Sequence, residues 1–234
     1  LKGPLAKPEH LIPKRVPDSV RVSPNGTHFA FNDDQEDRDN YHLYLGSSDG
    51  TIKKLSSFAG KDESVESIVW SNDSETLYFS QIDYDAKTSK ICRSDLKQGD
   101  CFVTGLKGIW HVIDTSGDKL LLKYWKAAGQ QSLHLYDLQT GKVIATDELS
   151  NTQKGFFAQG RIFWLAEGSF RCKSTSCVLS TELGNGSIQE IALPADLGTL
   201  HDIKPSPDGK SFLIHETRDG VDNLRIVGLK RNAF

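Results

Sequence analysis

One short pattern recurs along the chain and constrains its fold more than any other feature: a tight turn of small polar residues followed at once by an apolar strand. Ser23-Pro-Asn-Gly-Thr-His-Phe-Ala-Phe31 is echoed by Ser71-Asn-Asp-Ser-Glu-Thr-Leu-Tyr-Phe79, by Asp114-Thr-Ser-Gly-Asp-Lys-Leu-Leu-Leu122 and by Ser206-Pro-Asp-Gly-Lys-Ser-Phe-Leu-Ile214. The starts at 23, 71, 114 and 206 lie one or two periods of about 46 residues apart, so a degenerate copy is expected near residue 160. Ala158-Gln-Gly-Arg-Ile-Phe-Trp-Leu165 sits there with a shortened turn. A second turn recurs in phase with the first, at Ser48-Asp-Gly50, Lys97-Gln-Gly99, Gln139-Thr-Gly141 and Gly184-Asn-Gly186. Each joins two short β-rich runs, so every period reads as four antiparallel strands.

Four-stranded units of this length, repeated about five times, specify an all-β β-propeller, in which each sheet buries its faces on its neighbours. The expected blades are 18–57, 64–106, 108–148, 155–194 and 199–229. The last stops after its third strand. Glu9-His-Leu-Ile-Pro-Lys-Arg15 stands in the phase of an outer strand, so residues 9–16 are expected to complete that blade and close a five-bladed ring by pairing the two ends of the chain. Pro13 is tolerable on such an edge. The bland alternative is a fragment of a six- to eight-bladed ring. Residues 1–8, with two prolines and no periodicity, read as a linker ahead of one propeller domain spanning 9–234.

With 234 residues, 37% hydrophobic and 25% charged, the chain can bury a full core. A formal charge of −3 and no basic run longer than Lys230-Arg231 argue against direct nucleic-acid contact. No apolar run is long enough to span a membrane as a helix. The chain begins at Leu1 and contains no methionine, which suggests that an upstream portion has been removed.

The four cysteines form two local pairs, Cys92 with Cys101 and Cys172 with Cys177. Three readings compete: zinc ligands, redox thiols and structural disulfides. Only the second pair approaches zinc-knuckle spacing, and no Cys-x-x-Cys redox motif is present. If Ile91–Leu96 and Cys101–Gly105 are paired strands, Cys92 and Cys101 fall roughly opposite each other, within disulfide reach. Two disulfides would place the chain in an oxidising, extracytoplasmic space such as a periplasm.

The pattern Ser-Pro-Asn/Asp-Gly, an apolar strand, then Tyr41-His-Leu-Tyr-Leu45 and Asp49-Gly-Thr-Ile-Lys-Lys-Leu55, resembles the repeat of TolB-like and WD-repeat-like propellers. It is also similar to the accessory propeller of prolyl oligopeptidase-like enzymes and to the periplasmic sensor domains of CadC- or ToxR-like membrane-bound transcriptional regulators. The regulator resemblance implies a non-enzymatic sensor or protein-interaction domain. Its partner would be a protein or small-molecule signal on a propeller face, and an upstream segment would tether it to the membrane. The other resemblances imply a substrate-gating propeller of a serine peptidase, or an envelope scaffold.

Catalytic chemistry is sparse. Gly46-Ser-Ser-Asp-Gly50 matches G-x-S-x-G, but it falls at an Asp-Gly turn between antiparallel strands rather than at a strand-to-helix elbow. The acidic run 32–40 and Asp83-Tyr-Asp85 read as solvated loops without the glycine and glutamate of an EF-hand. No catalytic residue, metal ligand or cofactor is assigned. First strands of propeller blades line the central channel, where Arg21, Ser67, His111, His201 and Asp202 are candidates for a polar ring around a small ligand. Trp70, Trp110, Trp125 and Trp164 fall in strands and are expected in packing between blades. Asn25, Asn72 and Asn185 sit in glycosylation sequons at turns.

Overall fold

The structure is a computed structural model that describes residues 19–34, 40–56, 62–97, 99–125, 131–147, 155–158, 160–167, 176–182, 188–206 and 210–228. Every regular element among them is a strand. The first sheet contains β1 (Ser19–Val22), β2 (His28–Asp33), β3 (His42–Ser47) and β4 (Ile52–Lys54). The second contains β5 (Glu63–Trp70), β6 (Leu77–Asp83), β7 (Thr88–Ser94) and β8 (Gly99–Lys107). The third holds β9 (Ile109–Ser116), β10 (Lys119–Trp125), β11 (Gln131–Asp137) and β12 (Lys142–Asp147). The fourth holds β13 (Gly155–Ala158), β14 (Arg161–Glu167), β15 (Ser176–Glu182) and β16 (Ile188–Ala192). The fifth has β17 (Thr199–Pro205), β18 (Ser211–Arg218) and β19 (Val221–Gly228). In each sheet the strands lie in chain order. A new sheet therefore begins about every 45 residues.

Turn chemistry sets the registers. Asp219 and Gly220 both adopt positive φ, at 54° and 76°, the geometry of a two-residue hairpin turn whose twist matches its strands. That turn pairs Arg218 with Val221, Thr217 with Asp222 and His215 with Leu224. At Gly46 the requirement is a close approach instead. The Phe29 ring, opposite in the ladder, lies over the Cα, and an added Cβ would sit 2.1 Å from its Cζ atom.

The chain divides into two compact units, Leu1–Lys126 with Leu135–Ile144, and Ala127–His134 with Ala145–Phe234. In the first, alternation along each strand supplies apolar side chains to both sheet faces. Ala30, Leu43 and Leu45 of sheet one pack on Val65, Ile68, Trp70, Leu77 and Phe79 of sheet two. On the opposite face of sheet two, Tyr78 and Ile91 pack against Val112, Leu120 and Leu122 of sheet three.

Polar clips between sheets reinforce this packing. Val65 N–H, on the first strand of sheet two, donates to Tyr41 O at 2.8 Å, and Tyr41 N–H donates to Ser64 Oγ at 3.1 Å. Asn32 Nδ2 donates to Val65 O, and the Trp70 indole donates to Arg21 O, both at 2.9 Å. On sheet three, Val112 N–H donates to Ser80 Oγ at 2.7 Å and Trp110 N–H to Ser89 Oγ at 3.0 Å. First strands are edges with half their backbone groups unpaired in their own sheet. The preceding sheet satisfies several of those groups.

In the second unit, Phe156, Phe163, Leu165, Val178 and Ile191 of sheet four share a core with Ile203, Phe212 and Ile214 of sheet five. The Phe212 ring meets Phe156 and Phe163 edge-on, each at 5.8 Å between centroids. This arrangement favours the ring quadrupoles as well as burial.

The cysteine pair on the second outer hairpin is joined. Cys92 on β7 and Cys101 on β8 are direct cross-strand partners, bonded through sulfur with Cα atoms 3.8 Å apart. The expected Cys172–Cys177 bond, the strand at 9–16, the linker at 1–8 and the Asn185 sequon lie outside the described residues or involve a side chain that does.

Phe79, fully buried between sheets one and two, is the sharpest test of this packing. Phe79→Ala is expected to lower the unfolding free energy by about 3–5 kcal/mol, measured by urea denaturation monitored by circular dichroism.

Candidate functional site

First strands carry the candidate ligand-binding residues. Arg21 lies on β1, Ser67 on β5, His111 on β9, and His201 with Asp202 on β17. Three of these strands are bulged. The registers leave Glu66 without an opposite residue on β5, Ile113 on β9 and His201 on β17. Each bulge places one extra residue in a strand, re-aiming side chains at that point.

Ser67 and His111 are brought into one neighbourhood. The Ser67 hydroxyl hydrogen-bonds Ser80 Oγ at 3.0 Å, and the same oxygen accepts the N–H of Val112, the residue after His111. The Arg21 guanidinium instead turns outward and donates to its neighbour's carbonyl, Val20 O, at 3.1 Å. Its own carbonyl takes the Trp70 indole. His201 and Asp202 belong to the second unit, where His201 Nε2 is 2.6 Å from Thr217 Oγ1 and Asp202 Oδ1 accepts the N–H of Ile203.

His111 is the most perturbed of these groups. Burial, and then the ammonium of Lys123 across the ladder, push its pKa from 6.5 down to about 4. It is therefore a neutral imidazole at neutral pH, with the Trp125 ring 6.2 Å away. Trp125 is 43% exposed and carries Lys123 Nζ 5.5 Å above its ring, so this tryptophan departs from the packing role expected of it. Trp70 and Trp164 are buried as expected.

The G-x-S-x-G match is a hairpin turn. Ser48–Gly50 joins β3 to β4, Gly50 has φ +90°, and its N–H donates to Ser47 O at 2.9 Å. Asn32 and Asn40, at the two ends of the acidic run, are buried, as is Asp33. Residues 35–39 of the run lie outside the described residues.

Sequence reasoning did not find Ser80 and Ser89, small hydroxyls on β6 and β7 that accept backbone N–H groups of sheet three. Nor did it find His215, Thr217 and Asp222, which gather around His201. For the last three a signal existed, because the Asp219-Gly220 turn fixes their register.

No protein-family model matches the sequence, and no curated protein matches it. Solved structures do. TolB from Acinetobacter baumannii superposes with a TM-score of 0.62 at 17% identity, over 90% of this chain and 51% of that one. The β-propeller domain of the trilobed protease from Pyrococcus furiosus gives 0.63 at 14%, over 91% and 68%. A prolyl endopeptidase gives 0.64 at 15%, over 90% and 33%. The fold is a TolB-like β-propeller. The chain spans about half of the TolB chain and a third of the endopeptidase, and at these identities the likeness concerns architecture.

The His111 shift has a signed consequence for the propeller. An unfolded chain binds a proton near pH 6.5, whereas folded His111 binds one only near 4. Acidification between those values therefore favours unfolding. His111→Gln is expected to flatten the fall in urea midpoint between pH 6.5 and 4.5, and an unchanged slope would show that the imidazole is not buried as described.

Proposed function

We propose that this propeller is a non-catalytic, extracytoplasmic sensor or protein-interaction domain. Its favoured form is the periplasmic module of a membrane-anchored winged-helix transcriptional regulator. The observation that carries the compartment is the Cys92–Cys101 bond, because a cross-strand disulfide of this kind persists in oxidising spaces and is rare where thiols are kept reduced. The TolB-like fold supports a binding role, since its sheets are spent on packing one another and recognition falls to the loops and strand ends.

In this reading five blades close into a ring, and residues 9–16 supply the fourth strand of the last sheet, which has three among the described residues. A protein or small molecule binds one propeller face or the channel mouth, near Ser67 and His111. The signal passes to the upstream tether through the closing strand. No nucleic acid contacts this domain directly.

The second reading is an accessory, substrate-gating propeller of a prolyl oligopeptidase-like serine peptidase. It is favoured by the likeness to the trilobed protease domain and the prolyl endopeptidase. A TolB-like envelope scaffold is the third, favoured by the TolB likeness.

Thiol alkylation followed by non-reducing mass spectrometry, on protein exported by its native route, separates the two extracytoplasmic readings from the peptidase one. The expected result is two linked peptide pairs, Cys92 with Cys101 and Cys172 with Cys177. Four alkylated cysteines would sink the extracytoplasmic reading and favour an intracellular peptidase propeller.

A further inference from the structure

The outer edge of sheet two carries an aromatic cluster that the packing of the sheets does not fully use. It lies on the hairpin that the Cys92–Cys101 bond ties together. The register pairs Ile91 with Val103 and Cys92 with Cys101, so Phe102 has no opposite residue and forms a bulge in β8. The extra residue puts two consecutive apolar side chains on the face toward sheet three. Val103 packs against the core there, whereas the Phe102 side chain remains 36% exposed.

Three side chains surround that exposed ring. Tyr78 of β6 meets it edge-on at 6.4 Å between centroids, and Tyr136 of β11 lies at 6.3 Å, so sheets two and three both contribute. The guanidinium carbon of Arg93 stands 6.0 Å from the ring centroid, a cation over an aromatic face. Arg93 is exposed, and among the described residues no hydrogen bond or ion pair engages its guanidinium, not even from its ladder partner Asp100. Tyr78 and Tyr136 are themselves buried, yet their hydroxyls reach solvent and have no hydrogen-bond partner among the described residues. Burial of the rings pushes both phenols up, so both hydroxyls are protonated donors at neutral pH. Packing accounts for the two tyrosine rings. It does not account for unused donors grouped about an exposed phenylalanine.

We propose that Phe102, Arg93, Tyr78 and Tyr136 form a docking surface for an acidic peptide segment of a partner protein. The segment lays an apolar side chain on the Phe102 ring and sets a carboxylate against the Arg93 guanidinium, with the tyrosine hydroxyls donating to its oxygen atoms. Charge complementarity selects this partner: the unused groups are one cation and two neutral O–H donors, and a guanidinium stacked on an aromatic ring still presents its N–H fork to a carboxylate. Arginine and tyrosine around a partly buried aromatic anchor are also the side chains that carry most of the energy in protein interfaces. Cys92 and Cys101 directly precede Arg93 and Phe102, so the disulfide holds both anchors in place before a partner arrives. The surface belongs wholly to sheets two and three and does not depend on which of the three functional readings holds.

Fluorescence anisotropy of the intact chain with a fluorescein-labelled peptide alternating glutamate and leucine tests this, with its glutamine counterpart as control. The acidic peptide is expected to bind about tenfold or more tightly than the control. Arg93→Gln should erase that preference, and Phe102→Ala should weaken binding of the acidic peptide about tenfold. Lys107→Gln removes the same charge at the far end of β8 and should change binding less than about threefold. Both anchors are exposed, so these variants keep the fold, which circular dichroism verifies. In the unsubstituted chain, chemical-shift changes of the Phe102 ring protons on adding the acidic peptide report the surface directly. Binding of neither peptide, equal binding of both, or acidic-peptide binding that survives Arg93→Gln and Phe102→Ala would overturn it.

Discussion

The first strand of every sheet is an edge, and the fold depends on how that edge is satisfied. Such a strand offers unpaired N–H and C=O groups on one side, the side a stray chain could pair with. In the first unit those groups turn to the sheet before. Val65 reaches Tyr41, Trp110 reaches Ser89 and Val112 reaches Ser80, while apolar side chains of the same strands fill the space between sheets. Burial supplies most of the stabilisation. The clips fix the distance and register at which burial occurs, because a buried N–H without a partner costs about 1–3 kcal/mol.

This construction explains why the likeness to TolB and to peptidase propellers extends over nine-tenths of the chain at under 20% identity. The repeat requires turns of the right hand, alternating strands and small hydroxyls at the clips, and many sequences meet those demands. It also explains why architecture alone is silent on chemistry. Function must come from groups that the packing leaves over. Here those are the His111 and Trp125 neighbourhood, the disulfide-bonded outer hairpin, and the histidine-rich face of the last sheet.

Much of the fold was legible because its determinants are local. Gly50, Gly141 and Gly160 announce turns by adopting positive φ, and the alternation of Leu77, Phe79 and Gln81 announces a strand face. Cys92 and Cys101 were expected to lie roughly opposite because the intervening turn is short, and they are direct partners. Bulges were not legible. One extra residue at His201 or Glu66 shifts which side chains share a face, and no local residue preference marks the shift. The Trp125 exposure escaped for a related reason, since a strand position fixes alternation but not whether a neighbouring sheet covers it. The candidate ring of Arg21, Ser67, His111, His201 and Asp202 was chosen by strand position. Of those five, the geometry joins Ser67 to the backbone beside His111, while Arg21 turns aside.

Native-state hydrogen exchange at the Val65, Trp110 and Val112 amides tests the account most directly. Each sits on an edge strand and finds its acceptor on a strand of the preceding sheet or, for Val65, on the residue leading into one. If the sheets stack as described, these three amides exchange only through global unfolding, as slowly as amides in the middle of β6. Exchange at the rate of an unprotected peptide would mean that the edges are open to water and that the sheets do not form a propeller stack.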